Sequence, residues 1–448
     1  MASSLSGQDS KSPNILLIMT DDMGWMDLSI QGNKKLHTPN IDKLASQGVR
    51  FTDAYAASPV CSPTRAALIT GLAPARLNIL QHGADGPRFW PEGRKIQPPK
   101  VEHILPLERL TVAERLKEAG YATGFFGKWH LSGNKPKKGD ASTGGSAFFP
   151  DKHGFDVNLG GCGFGGPPTY FDPYRIPTLK PRKKGEYLSE RLADETISWM
   201  RDNKDQPMFI SLWTYNPHFP FEAPEELIAK YKGKEGPGLV NAIYGAQIEA
   251  TDLAVGRVLD ELTSLGIAEN TLVIFTSDNG GWDGATDNRP LRKGKGYLYE
   301  GGIRVPLMVR WPGVSEAGRI ESEPVITMDL TATIFDAAGV KLSEGEKIDG
   351  ESLRPIFKDA DLSRKPLYFH YPHWPFHKGN RPGSAIRDGK YKLILRYDDD
   401  SVELYDLETD LEEANDLANK LPDVAARMRN LLEIWLKETN AGIPKKIK

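Results

Sequence analysis

The chain has 448 residues, 39% of them hydrophobic and 26% charged, with a net charge of -3. This is the composition of a globular protein long enough for two domains. The near-balanced charge offers no footing for nucleic acid, and the longest apolar stretch, residues 15–19, is far short of a membrane span.

In chain order, residues 15–20 read as a buried strand that runs into Asp21-Asp22. Thr38-Pro39 predicts a capped, preorganised start for a helix reaching Gly48, and Ser62-Pro63 predicts the start of another that carries Arg65. Thr111 and Glu114 form a capping box for a helix ending near Gly120. A strand over 121–127 follows and runs into Lys128-Trp129-His130. An amphipathic helix is expected over 186–203, and a strand over 207–214 ahead of Pro217-His218. Helical periodicity spans 241–265, and a buried strand over 271–277 leads to Asp278-Asn279. A further strand is expected at 305–311 and a helix at 328–338. After Asp359 the pattern changes to strands at 390–396 and 402–407 and an amphipathic helix at 422–438. The alternation predicts an α/β domain over 12–360 and a smaller α+β domain with an antiparallel sheet over 361–448. Long loops cover 83–106, 132–181 and 371–384, which is where pocket walls usually form.

Asp21-Asp22, Lys128 with His130, and Asp278-Asn279 each follow directly on a strand. Ligands of open α/β sheets sit outside the carboxyl ends of the strands, so these distant residues can share one edge. Asp21, Asp22, Asp278 and Asn279 offer only oxygen, which suits a hard divalent cation. Adjacent carboxylates repel, and a cation relieves that repulsion. Lys128 and His130 flank Trp129 and would point the same way in an extended segment. The two cysteines, Cys61 and Cys162, could pair or stand as buried thiols. Arg88, Trp90, His373, Trp374 and His377 lie in the long loops as aromatic and basic side chains suited to a sugar. Residues 1–10 show neither the basic start nor the apolar core of a secretion signal.

Cys61-Ser62-Pro63-Thr64-Arg65, followed by Ala66-Ala67-Leu68-Ile69-Thr70-Gly71, resembles the signature of type I formylglycine-dependent sulfatases of the alkaline phosphatase superfamily. The resemblance continues in order through NILLIMTDD at 14–22, Thr38-Pro39-Asn40-Ile41-Asp42, Gly127-Lys128-Trp129-His130, Pro217-His218, Ser277-Asp278-Asn279-Gly280, Gly294-Lys295-Gly296 and Glu300-Gly301-Gly302-Ile303-Arg304. It implies a large mixed sheet sandwiched by helices. It also implies that Cys61 is oxidised to formylglycine by a maturation enzyme, and that the hydrated aldehyde is the nucleophile forming a covalent sulfo-enzyme. By the same resemblance, Asp21, Asp22, Asp278 and Asn279 with position 61 hold one Ca2+. Arg65 braces the hydrate, Lys128, His218 and Lys295 grip sulfate, and His130 takes a proton. Lys293 is a peripheral charge. The loops are similar to those of bacterial carbohydrate sulfatases and N-acetylgalactosamine sulfatases, which implies a terminal galactose-type sugar sulfate and an exported, periplasmic or secreted enzyme. A formylglycine-dependent phosphonate or phosphodiester hydrolase and a non-catalytic sugar-binding relative are the alternatives.

Overall fold

The computed structural model describes residues 12–83, 86, 89–133, 145–360, 362–363, 366–375 and 379–447. The elements that position the site are β1 (Asn14–Thr20), α1 (Pro39–Gln47), β2 (Val49–Phe51), α2 (Cys61–Thr70), α3 (Val112–Glu118), β3 (Ala122–Gly127), β4 (Val157–Leu159), α4 (Leu188–Asn203), β5 (Met208–Trp213), α5 (Ala242–Ser264), β6 (Thr271–Ser277), α6 (Glu300–Ile303), β7 (Leu307–Arg310), β8 (Arg319–Glu321) and α7 (Thr327–Ala338). Beyond them come β9 (Leu367–Tyr371), β10 (Gly383–Asp388), β11 (Tyr391–Arg396), β12 (Val402–Asp406) and α8 (Pro422–Glu438).

The large sheet has the order β8-β2-β7-β6-β1-β5-β3-β4. It is mixed, because β7 runs antiparallel to both β2 and β6 while β6, β1, β5, β3 and β4 are parallel. Every residue of β1 is buried. Leu16 and Ile18 join one hydrophobic cluster with Ile210, Val273 and α5, whereas Ile15, Leu17 and Met19 join a second with Phe209, Ile274 and α2. A strand covered on both faces needs an unbroken apolar run, and this explains why the central strands stand out in the sequence.

The four-stranded antiparallel sheet β9-β10-β11-β12 is covered on one side by α8 through Met428, Leu432 and Leu436. Two of its strands were not expected: β9 and β10 flank the long loop and shorten it to 372–382. The other face packs Phe369, Tyr371, Ala385, Ile394 and Tyr405 against Tyr55, Val60, Leu298 and Ile303 of the larger layer. Buried ions pin this seam. Lys392 Nζ lies 2.9 Å from both Glu300 Oε1 and Glu413 Oε1, and Glu413 Oε2 accepts the Glu300 amide at 2.7 Å. Burial opposes the Glu300 charge, but Lys392 and two arginines outweigh it and hold that carboxyl at about 2. Asn380 donates its amide to the Gly296 carbonyl. The segment between β6 and β7 is therefore held from the second sheet.

The capping box of Thr111 and Glu114 is present as predicted. Thr38 is at the N-cap of α1 but its side chain does not cap the helix. Its hydroxyl is occupied by Ser29 and Asp42, and the amides of Asn40 and Ile41 are accepted instead by the Asp252 carboxylate on α5. The cap is thus tertiary, 211 residues away for Ile41.

His370 ties the chain end to the small sheet. Its Nε2 lies 3.1 Å from the Gly442 carbonyl and its Nδ1 2.6 Å from Ser384 Oγ. Burial lowers its pKa to about 3, so between that value and about 6.5 only the unfolded chain carries the proton. Its contribution to stability is complete above pH 6.5 and lost as pH falls toward 3. The His370→Gln variant will show a flatter acid limb across that window in pH-dependent thermal melts.

Candidate active site

Four neighbouring strands, β6, β1, β5 and β3, end at one edge. Asp21 and Asp22 follow β1, Lys128 and His130 follow β3, His218 follows β5, and Asp278 and Asn279 follow β6. α2 points its N-terminus at the same edge, with Cys61 in the first turn and Arg65 one turn along. Lys295 arrives on the clamped segment before α6. All of these positions were expected from the sequence, and the structure brings them together.

Arg65 is fully buried and organises the centre. Its Nε donates to Asp278 Oδ2 at 2.8 Å, its Nη1 donates to the Lys128 carbonyl at 2.5 Å, and its Nη2 lies 3.8 Å from Asp21 Oδ1. Lys128 Nζ pairs with Asp21 Oδ2 at 2.7 Å, and Lys295 Nζ contacts both Asp22 oxygens at 2.6 and 2.8 Å. Asp278 Oδ1 accepts the Asp22 amide at 3.2 Å. Cys61 Sγ is 3.4 Å from His130 Nδ1, and Ser62 Oγ donates to the His130 carbonyl at 2.9 Å. His218 Nε2 lies 3.7 Å from Asp22 Oδ2.

The chain reaches these positions through unusual backbone. Gly127 closes β3 at φ 116°, and a Cβ there would fall 1.8 Å from the Trp213 carbonyl, so only glycine fits. His130 is left-handed at φ 59°, not extended. Lys128 and His130 still converge on the site because Trp129 between them is fully buried in the opposite core.

Burial and neighbouring charge split the ionisable groups. Burial raises Asp21 well above the usual carboxylate range despite Lys128. Asp22 is lowered, because Lys295, His218 and Lys128 together outweigh its burial. Burial, with Lys128 nearby, takes His130 well below its ordinary value; burial and Lys295 do the same to His218. Both imidazoles are therefore neutral, as a proton acceptor must be. Burial pushes the Cys61 thiol up, so the sulfur itself stays protonated and is a poor nucleophile.

The cluster suits a cation. Asp21 Oδ1 and Asn279 Oδ1 are buried without a hydrogen-bond partner, the latter with its amide nitrogen turned to Asp22 Oδ1 at 2.9 Å. Ligand atoms of Asp21, Cys61 and Asp278, and those of Asp21, Asp22 and His218, lie within 4.8 Å of one another. Oxygen donors dominate, which favours calcium or magnesium over zinc. Cys61 and Cys162 are both free thiols.

The loop candidates fare differently. Arg88 and His377 lie outside the described residues. Trp90 is half-buried with the Arg94 guanidinium 4.8 Å over its ring. His373 and Trp374 are buried, which makes them wall residues with no open stacking face. Asn380, in the same loop, was not foreseen; its bond to Gly296 touches the residue next to Lys295. Lys293, by contrast, is exposed. On the sulfate-gripping role that the sequence resemblance implies for Lys295, Lys295→Ala should lower kcat/KM on a sulfate ester about 10²–10³-fold, the usual loss of one buried charge-stabilising donor, while Lys293→Ala changes it less than twofold. Steady-state kinetics of the pair will check this.

The Sulfatase family profile matches residues 13–340, and that of the N-sulphoglucosamine sulphohydrolase C-terminal region matches 293–438. A sulfatase of Formosa agariphila is 34% identical, with 98% of this chain and 92% of that protein covered. The N-acetylgalactosamine-6-sulfatase of Mus musculus is 32% identical over 86% of this chain and 72% of its own length. Among solved structures, Ps i-CgsB in complex with k-i-k-neocarrahexaose superposes with a TM-score of 0.78 at 29% identity, covering 95% of this chain and 93% of that one. No described helix is long and apolar enough to cross a membrane.

Proposed function

Since this chain belongs to the sulfatase family of the alkaline phosphatase superfamily and is a sulfuric ester hydrolase, we propose that it removes sulfate from a carbohydrate, a terminal galactose or N-acetylgalactosamine sulfate of an oligo- or polysaccharide. The observation that carries the reading is the convergence of Arg65, Lys128, Lys295, His130 and His218 on Cys61 beside three buried carboxylates. The sugar half of the proposal leans on the relatives: one is named for N-acetylgalactosamine 6-sulfate, and another binds a neocarrahexaose.

Position 61 is read as formylglycine, which when formed supplies two hydroxyls on one carbon, one to attack sulfur and one to expel sulfate. Asp21, Asp22, Asp278 and Asn279, with position 61, would hold one Ca2+, whose chemistry is to draw charge from an oxygen of the sulfuryl group. Arg65 steadies position 61 through the carboxylates it bridges. Lys128 and Lys295 are placed to neutralise charge spread over the sulfate oxygens. His130 Nδ1, next to position 61, takes a proton. His218 Nδ1 lies 2.6 Å from the Phe219 carbonyl, which puts the proton on that nitrogen and leaves Nε2 as an acceptor facing the site. Protonating the departing alcohol from His218 therefore requires its doubly protonated form. We read residues 12–360 as the catalytic unit and 361–448 as the unit that clamps the Lys295 segment, in an enzyme matured by a formylglycine-generating partner and exported.

The test is sulfate release from defined galactose, N-acetylgalactosamine and glucosamine sulfates, sulfated polysaccharides, an aryl sulfate and a phosphodiester. It runs with and without Ca2+, and with peptide mass spectrometry of position 61. Release from one galactose-type sulfate, lost on chelation and restored by Ca2+, is the expected result. Exclusive action on glucosamine or aryl sulfates would overturn the sugar assignment, and a preference for the phosphodiester would overturn the reaction.

A further inference from the structure

Among the described residues, the site opens where its two histidines lie. Cys61, Arg65, Lys128, Asp278 and Asn279 are fully buried, whereas the His218 side chain is 19% exposed. His130 is half-buried too, so among the described residues approach to the cluster passes these two histidines. The next residue, Phe219, is 60% exposed, and among the described residues it is the one aromatic ring left open to this degree. Single exposed apolar residues need no explanation. This ring, however, is held in place. It packs edge-to-face on Phe221 at 5.8 Å, and Phe221 stacks on Trp282 at 5.9 Å and 15°. Trp282 belongs to the loop that follows Asn279. The support of Phe219 is thus built by the two strand-end loops that carry His218 and the acidic cluster.

The orientation is equally specific. The Phe219 carbonyl accepts from His218 Nδ1 at 2.6 Å, so the backbone of this residue is tied to the site while its side chain stays open to solvent. The floor between the two histidines is stripped of side chains: a Cβ on Gly166 would fall 2.5 Å from the Phe219 carbonyl oxygen, and one on Gly165 2.9 Å from the His130 ring. A bound sulfate ester would leave by way of His218, over that floor, with its alcohol part emerging beside Phe219.

We propose that Phe219 is a stacking platform for the sugar ring next to the sulfated one. A pyranose chair carries axial C–H groups that make one of its faces apolar, and such a face matches an open aromatic ring fixed in position. The proposal rests on the carbohydrate reading above. It makes Phe219 a specificity-determining residue that favours an oligosaccharide end over a free monosaccharide.

Kinetics of wild type, Phe219→Ala and Phe219→Trp on a matched pair of substrates test this: a sulfated galactose-type monosaccharide and an oligosaccharide ending in the same sulfated sugar. We expect Phe219→Ala to raise KM for the oligosaccharide about tenfold, the scale of one aromatic contact, with kcat unchanged. Monosaccharide kcat/KM falls less than twofold, and Phe219→Trp keeps the low KM. A loss of equal size on both substrates, no loss on the oligosaccharide, or a wild type that cleaves monosaccharides alone would each overturn the platform. A wild type that releases sulfate from an aryl ester and from no sugar would instead overturn the carbohydrate reading on which it depends.

Discussion

Cys61→Ala will reduce sulfate release by about 10⁴-fold or more, the scale on which enzymes lose a nucleophile, while the protein stays folded. Cys61 is a free thiol, so no crosslink is lost, and the substitution removes one small buried atom group. A melting temperature within a few degrees of wild type, measured beside the sulfate assay, separates lost chemistry from lost structure. Cys61→Ser sharpens the test. A serine hydroxyl next to His130 could attack once, but it has no second hydroxyl on the same carbon through which to release sulfate. Turnover should fail and a sulfated serine should accumulate, visible by intact-protein mass spectrometry. Near-normal turnover by the serine variant would refute formylglycine as the working group.

The second large effect falls on stability. Arg65→Ala removes the guanidinium that Asp278 binds directly and that faces Asp21, all three side chains being fully buried. Breaking a buried ion pair from one side leaves its carboxylates uncompensated and costs about 3–5 kcal/mol. Urea unfolding should report a loss of that order. Arg65→Lys should recover only part of it, since one ammonium cannot reproduce the forked contact to Asp278 and the Lys128 carbonyl. If Arg65→Ala unfolds at the wild-type midpoint, the guanidinium is not the keystone described above.

What the sequence disclosed follows from burial. β1, β5 and β6 have apolar neighbours on both faces, so each is spelled as a hydrophobic run, interrupted in β5 only by the small Ser211, and the polar residue that follows each run marks the site edge. The order of strands carries no such mark. That Lys128 meets Asp21 across 107 residues is a fact of topology. β9 and β10 were missed because one stops and the other starts beside a loop broken by Pro372, Pro375 and Pro382, which masks their alternation. The cap of α1 was misplaced for a related reason. Thr38 has the right side chain in the right position, yet Ser29 and Asp42 claim its hydroxyl, and Asp252 from another helix does the capping. Asn380 and Glu413 left no local signal, because each is one polar residue whose partners lie outside its own segment, the Gly296 carbonyl for the first and the Glu300 amide and Lys392 for the second. Phe219 was legible only as the neighbour of His218; its importance lies in its exposure, which a sequence does not state.

The depth of Cys61 also sets a clock. A fully buried sulfur is out of reach of any other protein once the sheet has closed over it. Closure, however, waits for the partner of Arg65, Asp278, which lies 213 residues downstream. At ribosomal speeds of about 5–20 residues per second, the segment around Cys61 stands without that partner for about 10–40 s. An oxidising enzyme would have to work within that interval or on a chain not yet closed. On the formylglycine reading, the modified fraction would then be set by competition between processing and folding, and slower elongation between residues 65 and 278 should raise it without any change in the finished protein.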